Sequence, residues 1–278
     1  MAEGDRFERV TLPNGVRAIR DLHSGEVMHP SVGPWAEAQA LYVSQGRLEE
    51  RLSGPSQSAD EPVRVWDVGL GGGANAAAAL ACAQACGART LELLSFERDL
   101  QPLELALADA EGFPWLQPFS EAARQLLRAG VAEGPHFRWR LLVGDFLQAL
   151  KDVDEPPELV FFDPFSPETN TPLRTPDAFR AVRVRCREDG PGTLLLTYSA
   201  STRTRVSMLQ GGFFVGVGAP TGHKKETTAA ATRPSLLERP LDTRWLERWR
   251  RSSAKAAWGA DVASAEAAIP THAQFRVS

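Results

Sequence analysis

The chain has 278 residues, 43% of them hydrophobic, with 31 Lys and Arg against 35 Asp and Glu and a formal net charge of −4. This length suits one main core with a small addition, and no apolar run reaches the roughly 20 residues that a membrane-crossing helix needs. Three cysteines argue against a disulfide framework, and the acidic start Met1-Ala2-Glu3-Gly4-Asp5-Arg6 is unlike a secretory leader, so a cytoplasmic protein is expected.

Residues 7–19 alternate in hydrophobicity on either side of Asn14-Gly15, which signals a hairpin. Residues 35–52 carry an amphipathic helical pattern, and residues 53–62, rich in Ser, Gly and Pro, form a linker-like break. Residues 1–62 are therefore expected to be an N-terminal hairpin and helix extension. Between 63 and 232 strand and helix signals alternate as a doubly wound sheet requires, and residues 233–278 read as a helical tail.

The first core strand, residues 63–68, empties into Gly69, Gly71 and Gly73 and then into an alanine-rich helix beginning near Ala74. Glycines there let backbone approach a ligand closely, and the helix points its positive end at it. No lysine follows to hold a triphosphate, so the loop reads as nucleoside-binding and not as a P-loop. Cys82 and Cys86, one turn apart in this helix, read as packing residues because neither His nor further Cys stands at ligand spacing, and no metal is expected.

The second strand ends at Glu97, where a Rossmann-type sheet places the acid that holds ribose hydroxyls. The third, residues 137–146, ends in Asp145 and Phe146, which suit an adenine amine beside an apolar wall; Asp145 equally suits the N-cap of the helix after it. The fourth, residues 158–162, runs into Asp163 and a loop stiffened by Pro164 and Pro167. Asp163 could orient a nucleophile and take its proton, or simply shape the turn. Closing strands are expected at 193–198 and 213–217, with 225–232 as an antiparallel edge. In the tail, Trp245 and Trp249 stand at helical spacing as a packing stripe, with Arg244, Arg248, Arg250 and Arg251 around them.

Four strand ends delivering glycines or an acid to one edge fit a Rossmann-like class I S-adenosylmethionine-dependent methyltransferase fold better than a dehydrogenase. A nicotinamide enzyme would need a hydride-acceptor site with a catalytic His or Lys/Tyr pair, and none is evident.

The motifs also resemble the MnmC-type methyltransferase domain over most of the chain. Asp67, Gly69, Gly71, Gly73 and Asn75 match that family's glycine loop, and Ser95-Phe96-Glu97, Leu105-Ala106-Leu107-Ala108 and Pro114-Trp115 match the blocks after it. The stretch from Glu37 to Gly46 is similar to an upstream family segment, and Thr221 to Glu226 to a late one, with His223 in place of an arginine. The loop from Asp163 through Asn170 to Pro172 resembles the family's catalytic loop, with Pro164 in place of glycine and one extra residue before the last proline.

The resemblance implies methylation of the aminomethyl group of a modified wobble uridine in tRNA, on the way to 5-methylaminomethyl-2-thiouridine. S-adenosylmethionine is the implied donor. Bifunctional members carry a flavin-dependent oxidoreductase domain for which 278 residues leave no room, so a stand-alone form is expected, with a separate oxidoreductase acting upstream. The expected donor residues are Asp67, Gly69, Gly71, Gly73, Asn75, Glu97, Asp145 and Phe146. Asp163 is the expected catalytic residue, with Asn170, Lys224 and Lys225 toward the acceptor; the two lysines could equally be solvated. The competing readings are a polyamine aminopropyltransferase, which should line its site with carboxylates and a tyrosine, and a non-catalytic donor-binding or nucleic-acid scaffold.

Overall fold

The computed structural model describes residues 6–28, 33–54, 61–165, 170–222 and 224–276. At the N-terminus, β1 (Phe7–Thr11) and β2 (Arg17–Asp21) pair antiparallel as the Asn14-Gly15 signal indicates. The helical pattern at 35–52 is realised in pieces and not as one helix: α1 (Pro34–Glu37), a π-helical stretch Ala38–Ser44, and α2 (Leu48–Ser53). Backbone geometry forces the break. Arg47 takes a left-handed φ of 51°, and a Cβ on Gly46 would stand 2.3 Å from the Tyr42 carbonyl oxygen. Part of the linker-like stretch, residues 55–60, lies outside the described residues.

The core follows in chain order: β3 (Val63–Val68), α3 (Ala74–Cys86), β4 (Leu91–Glu97), α4 (Gln101–Leu107), α5 (Ser120–Ala129), β5 (Val131–Gly134), β6 (Phe137–Val143), α6 (Phe146–Ala149) and β7 (Leu159–Phe162). Then come α7 (Pro176–Arg183), β8 (Leu194–Thr197), α8 (Thr202–Gln210), β9 (Phe214–Gly218), β10 (Thr227–Ala231), α9 (Thr243–Arg250) and α10 (Val262–Ala268). Eight strands form one sheet in the order β5-β6-β4-β3-β7-β8-β10-β9. Strands β6, β4, β3, β7 and β8 are parallel, while β5, β10 and β9 are joined through antiparallel pairings. The segment expected as an antiparallel edge, now β10, is antiparallel but internal, and β9 is the edge. Every residue of β10 is buried, as a position between two strands and two helical layers demands.

Side-chain alternation divides the core into two faces. Val63 and Val65 of β3 and Leu159 and Phe161 of β7 pack toward α3, whose alanines permit close approach. Trp66, Val68, Val160 and Phe162 pack on the opposite side with α7, α8 and the C-terminal helices. There Trp245, Leu246 and Trp249 of α9 join the core, and Trp245 stacks on Phe275 with ring centres 5.9 Å apart.

At the N-terminal edge of the parallel strands a buried ion-pair network ties the layers together. Glu158, 3% exposed, meets Arg51 at 3.2 Å and Arg89 at 3.4 Å, and Arg89 also donates to the carbonyls of Arg51, Glu61 and Pro62. Arg187 reaches Glu61 at 2.8 Å.

Candidate active site

At the other edge, the C-terminal ends of β3, β4, β6, β7 and β8 open onto a cavity of about 630 Å³, the size of an ordinary small-molecule site. Each strand end supplies part of the lining: Gly69, Leu70 and Gly71 after β3, Glu97 and Asp99 around the end of β4, Gly144 to Phe146 after β6, Asp163 to Phe165 after β7, and Thr197 to Ser199 at β8. The N-terminal hairpin covers one side with Arg6, Phe7, Val27 and Met28. Phe7 stacks parallel to Phe165 across the opening, with ring centres 6.4 Å apart.

Gly69 has φ 93°, and a Cβ there would stand 2.7 Å from the Asp163 carbonyl oxygen, so only glycine lets the β3 and β7 loops meet. Glu97 organises the glycine loop: its Oε2 accepts from the Gly71 N–H at 2.9 Å, and its Oε1 accepts from the N–H groups of Arg98 at 2.7 Å and Asp99 at 3.2 Å. Burial raises the Glu97 carboxyl above the ordinary glutamate value even though these three donors oppose the shift.

Asp163 is anchored to the helix behind the glycine loop, its Oδ2 accepting from Asn75 Nδ2 at 2.9 Å. The buried Tyr42 phenol lies beside it, and burial together with the Asp163 charge pushes that phenol well above its usual pKa. Arg174, 3% exposed, fastens the same loop, donating to the carbonyls of Pro164 at 3.1 Å and Phe165 at 3.4 Å and to Thr197 Oγ1 at 3.3 Å. Its guanidinium carbon sits 5.1 Å from the centre of the Phe162 ring. Glu37, 2% exposed, lines the cavity as well. Lys224 lies over the Tyr198 ring at 3.6 Å and donates to the Tyr198 carbonyl at 3.2 Å. Burial lowers its pKa, opposed by the charges of Glu37 and Asp163 and reinforced by that of Arg174.

Of the residues singled out in the sequence, Gly69, Gly71, Glu97, Asp145, Phe146, Asp163, Asn170 and Lys224 come together around this cavity. Asp67, Gly73, Asn75 and Lys225 stand outside its lining. Asp67 is fully buried and accepts from Ser95 Oγ at 2.8 Å, which in turn accepts from Trp139 Nε1 at 2.9 Å, so it fastens β3, β4 and β6 together. Gly73, with φ 82°, begins α3, and Lys225 is exposed. Asp145 lines the cavity and caps α6, accepting from the Gln148 N–H at 3.1 Å, while Phe146 packs edge-on against Phe96 at 4.9 Å. Residues 166–169 and His223 lie outside the described residues. Sequence reasoning gave no role to Arg174, Tyr42 or Glu37; the last two fall in the broken helical segment, where only the family resemblance at Glu37 to Gly46 pointed. Among the described residues no cluster of His, Cys, Asp and Glu is arranged to hold a metal, and no helix is long and apolar enough to cross a membrane.

A protein family described as S-adenosyl-L-methionine-dependent methyltransferase matches residues 116–233. The chain is an S-adenosylmethionine-dependent methyltransferase. The methyltransferase is related to MnmC proteins. It is 27% identical over 238 residues to the tRNA 5-methylaminomethyl-2-thiouridine biosynthesis bifunctional protein MnmC of Cupriavidus necator, covering 80% of this chain and 35% of that protein. With the corresponding protein of Chromobacterium violaceum it is 28% identical over 257 residues, covering 87% of this chain and 38% of the relative. The methyltransferase thus spans little more than a third of these curated relatives. The crystal structure of MNMC2 from Aquifex aeolicus superposes with a TM-score of 0.72 at 26% identity, covering 94% of this chain and 80% of that one. The fold is the Rossmann-like class I methyltransferase fold. The site suits the donor: side-chain-free backbone at Gly69 and Gly71 faces the cavity, and a half-buried acid, Glu97, closes the neighbouring strand.

Proposed function

We propose that the protein methylates the aminomethyl nitrogen of a modified wobble uridine in cytoplasmic tRNA, and that Asp163 is its catalytic residue. The observation that carries this reading is the placement of Asp163: it closes β7 on the cavity wall, braced by Asn75 and by the loop that Arg174 fastens. In support, relatives of 27% and 28% identity are named for the biosynthesis of 5-methylaminomethyl-2-thiouridine in tRNA.

S-adenosylmethionine supplies an electrophilic methyl group on a sulfonium. The backbone at Gly69 and Gly71 receives the methionine portion, Glu97 the ribose hydroxyls, and Asp145 with Phe146 the adenine; Asp67, Gly73 and Asn75 support that loop from behind. An aminomethyl group arrives at neutral pH largely as an ammonium, and the acids Asp163 and Glu37 attract it. It must shed a proton before its lone pair can attack. Once the ammonium has lost a proton to water, the Asp163 carboxylate accepts an N–H hydrogen bond from the neutral amine, aims its lone pair at the methyl, and takes up a proton as positive charge develops on nitrogen. Asn170 and Lys224 face the rest of the nucleotide, with Lys225 outside. The precursor amine comes from a flavin-dependent oxidoreductase acting earlier.

One observation favours a second reading, aminopropyl transfer to a polyamine: Glu26, Glu37, Asp99, Asp163 and Tyr198 line the same cavity and would suit a polycation. Mass spectrometry of tRNA nucleosides from cells with and without the protein separates the two. Loss of the methylaminomethyl nucleoside, with accumulation of its aminomethyl precursor, is the expected result. An unchanged nucleoside profile, together with product formed from putrescine and the decarboxylated donor, would replace this function with the second.

A further inference from the structure

The arginines visible as clusters in the sequence behave in two different ways. Arg183, Arg185 and Arg187 are all tied down: Arg183 to Glu188 at 2.8 Å, Arg185 to the carbonyls of Val153 and Lys151 and to Asp154, and Arg187 to Glu61 at 2.8 Å. Arg244, Arg248 and Arg251 are exposed, and among the described residues no carboxylate forms an ion pair with them. At 3.6 residues per turn these three fall in one stripe about 60° wide, opposite the buried Trp245, Leu246 and Trp249, with the exposed Glu247 to one side.

Arg248 brings the stripe near the active-site edge of the sheet. Arg205 of α8 is buried there, donating to Thr228 Oγ1 at 3.0 Å and to the Thr227 carbonyl at 2.9 Å, and pairing with Glu226 at 3.0 Å. The charges of Arg248 and Arg239 both bear on it. Arg239 is held by the carbonyl of Gly218, where β9 ends. Three strand spacings separate β9 from β7 and Asp163, a lateral distance of about 14 Å. Lys224 on the cavity wall and the exposed Lys225 continue the row of cations between them.

Resting on the tRNA reading above, we propose that Arg244, Arg248 and Arg251, with Arg239 beside them, dock the phosphate backbone of the RNA whose modified base enters the cavity. A chain of net charge −4 has no general attraction for a polyanion, so its grip must come from a local row of unpaired cations. A membrane surface fits the same face poorly. The apolar side of α9 is spent in the core, and none of the exposed large hydrophobic residues among those described, Leu22, Val143, Val184 and Val262, belongs to α9.

The test reverses the stripe in the full chain, as Arg244→Glu/Arg248→Glu/Arg251→Glu, beside a control, Arg124→Glu, at an exposed position on α5. Fluorescence anisotropy with an unmodified tRNA transcript is run across a salt series, with melting temperature and S-adenosylhomocysteine affinity as checks on the fold. The triple variant should bind tRNA at least tenfold more weakly at low salt, with the slope of log affinity against log salt reduced by about 2 to 3, while the control and both checks stay at parental values. Parental tRNA affinity and slope in a folded triple variant would overturn the docking surface, and if the parent still methylates precursor tRNA the function above survives. A stripe-dependent parent that binds tRNA but never methylates it supports the surface and removes the acceptor. A parent that binds anionic phosphatidylglycerol vesicles through the stripe and does not bind tRNA overturns the proposal in favour of a membrane.

Discussion

The two edges of the central sheet use charge in opposite ways. At the N-terminal edge, the Glu158 carboxylate is shared between two arginines that are themselves bonded to backbone carbonyls, so the charge there is spent within the fold. At the C-terminal edge, Glu97 accepts from the N–H groups of Gly71, Arg98 and Asp99, Asp163 accepts from the Asn75 amide, and both face a cavity. An acid neutralised by arginine is a fastener. One held by amides keeps its charge available to a ligand, at a cost that shows as the raised pKa of Glu97.

Removing the charge at each edge should therefore affect different quantities. Asp163→Asn should lower single-turnover methyl transfer by about 10² to 10⁴-fold while donor affinity and melting temperature change little. If the mutant instead loses melting temperature or donor affinity as much as turnover, Asp163 is a fastener too and the contrast collapses. Glu158→Gln leaves two arginines facing a neutral amide and should cost about 3 kcal/mol in urea unfolding, with turnover per folded molecule preserved. Unchanged stability there would mean that the network is ornamental.

Smaller effects sharpen the contrast. Glu97→Ala should weaken donor binding by about 1 to 3 kcal/mol by calorimetry, through loss of charge-assisted hydrogen bonds. The pH dependence has a definite sign. Because the folded Glu97 value is raised above 4.5, protonation favours the folded state, and that contribution is full below 4.5 and lost as pH rises through the folded value. Donor affinity runs the other way, weakening as pH falls through the raised value, since a protonated acid accepts fewer hydrogen bonds. A calorimetric pH series should show this fall in the parent and a flatter profile in Glu97→Gln; parallel profiles would contradict it.

What could be read from the sequence follows from how local each signal is. Gly69 and Gly71, Glu97, Asp145 and Asp163 each stand at the end of an apolar run, and parallel strands bring such ends to one edge. Glu37, Tyr42 and Arg174 carry no local sign of their place, because packing between distant elements brings them to Asp163. Arg174 in particular is an arginine in a loop until the fold lays it across Phe162. The internal position of β10 was likewise hidden, because a strand's place in a sheet depends on its crossover, and the small residues of Thr227–Ala231 fit an edge equally well. The short β5, four residues with an exposed Glu133, was missed for lack of periodicity. The arginine clusters at 183–187 and 244–251 look alike as sequence; only their partners set them apart.

The most direct test of the central claim uses purified protein, donor labelled in its methyl group, and tRNA carrying the aminomethyl precursor at the wobble uridine. Nuclease digestion should recover the label in a single nucleoside, 5-methylaminomethyl-2-thiouridine, and Asp163→Asn should remove it under donor saturation. Label absent from that nucleoside, with the donor bound and the tRNA intact, would contradict the account.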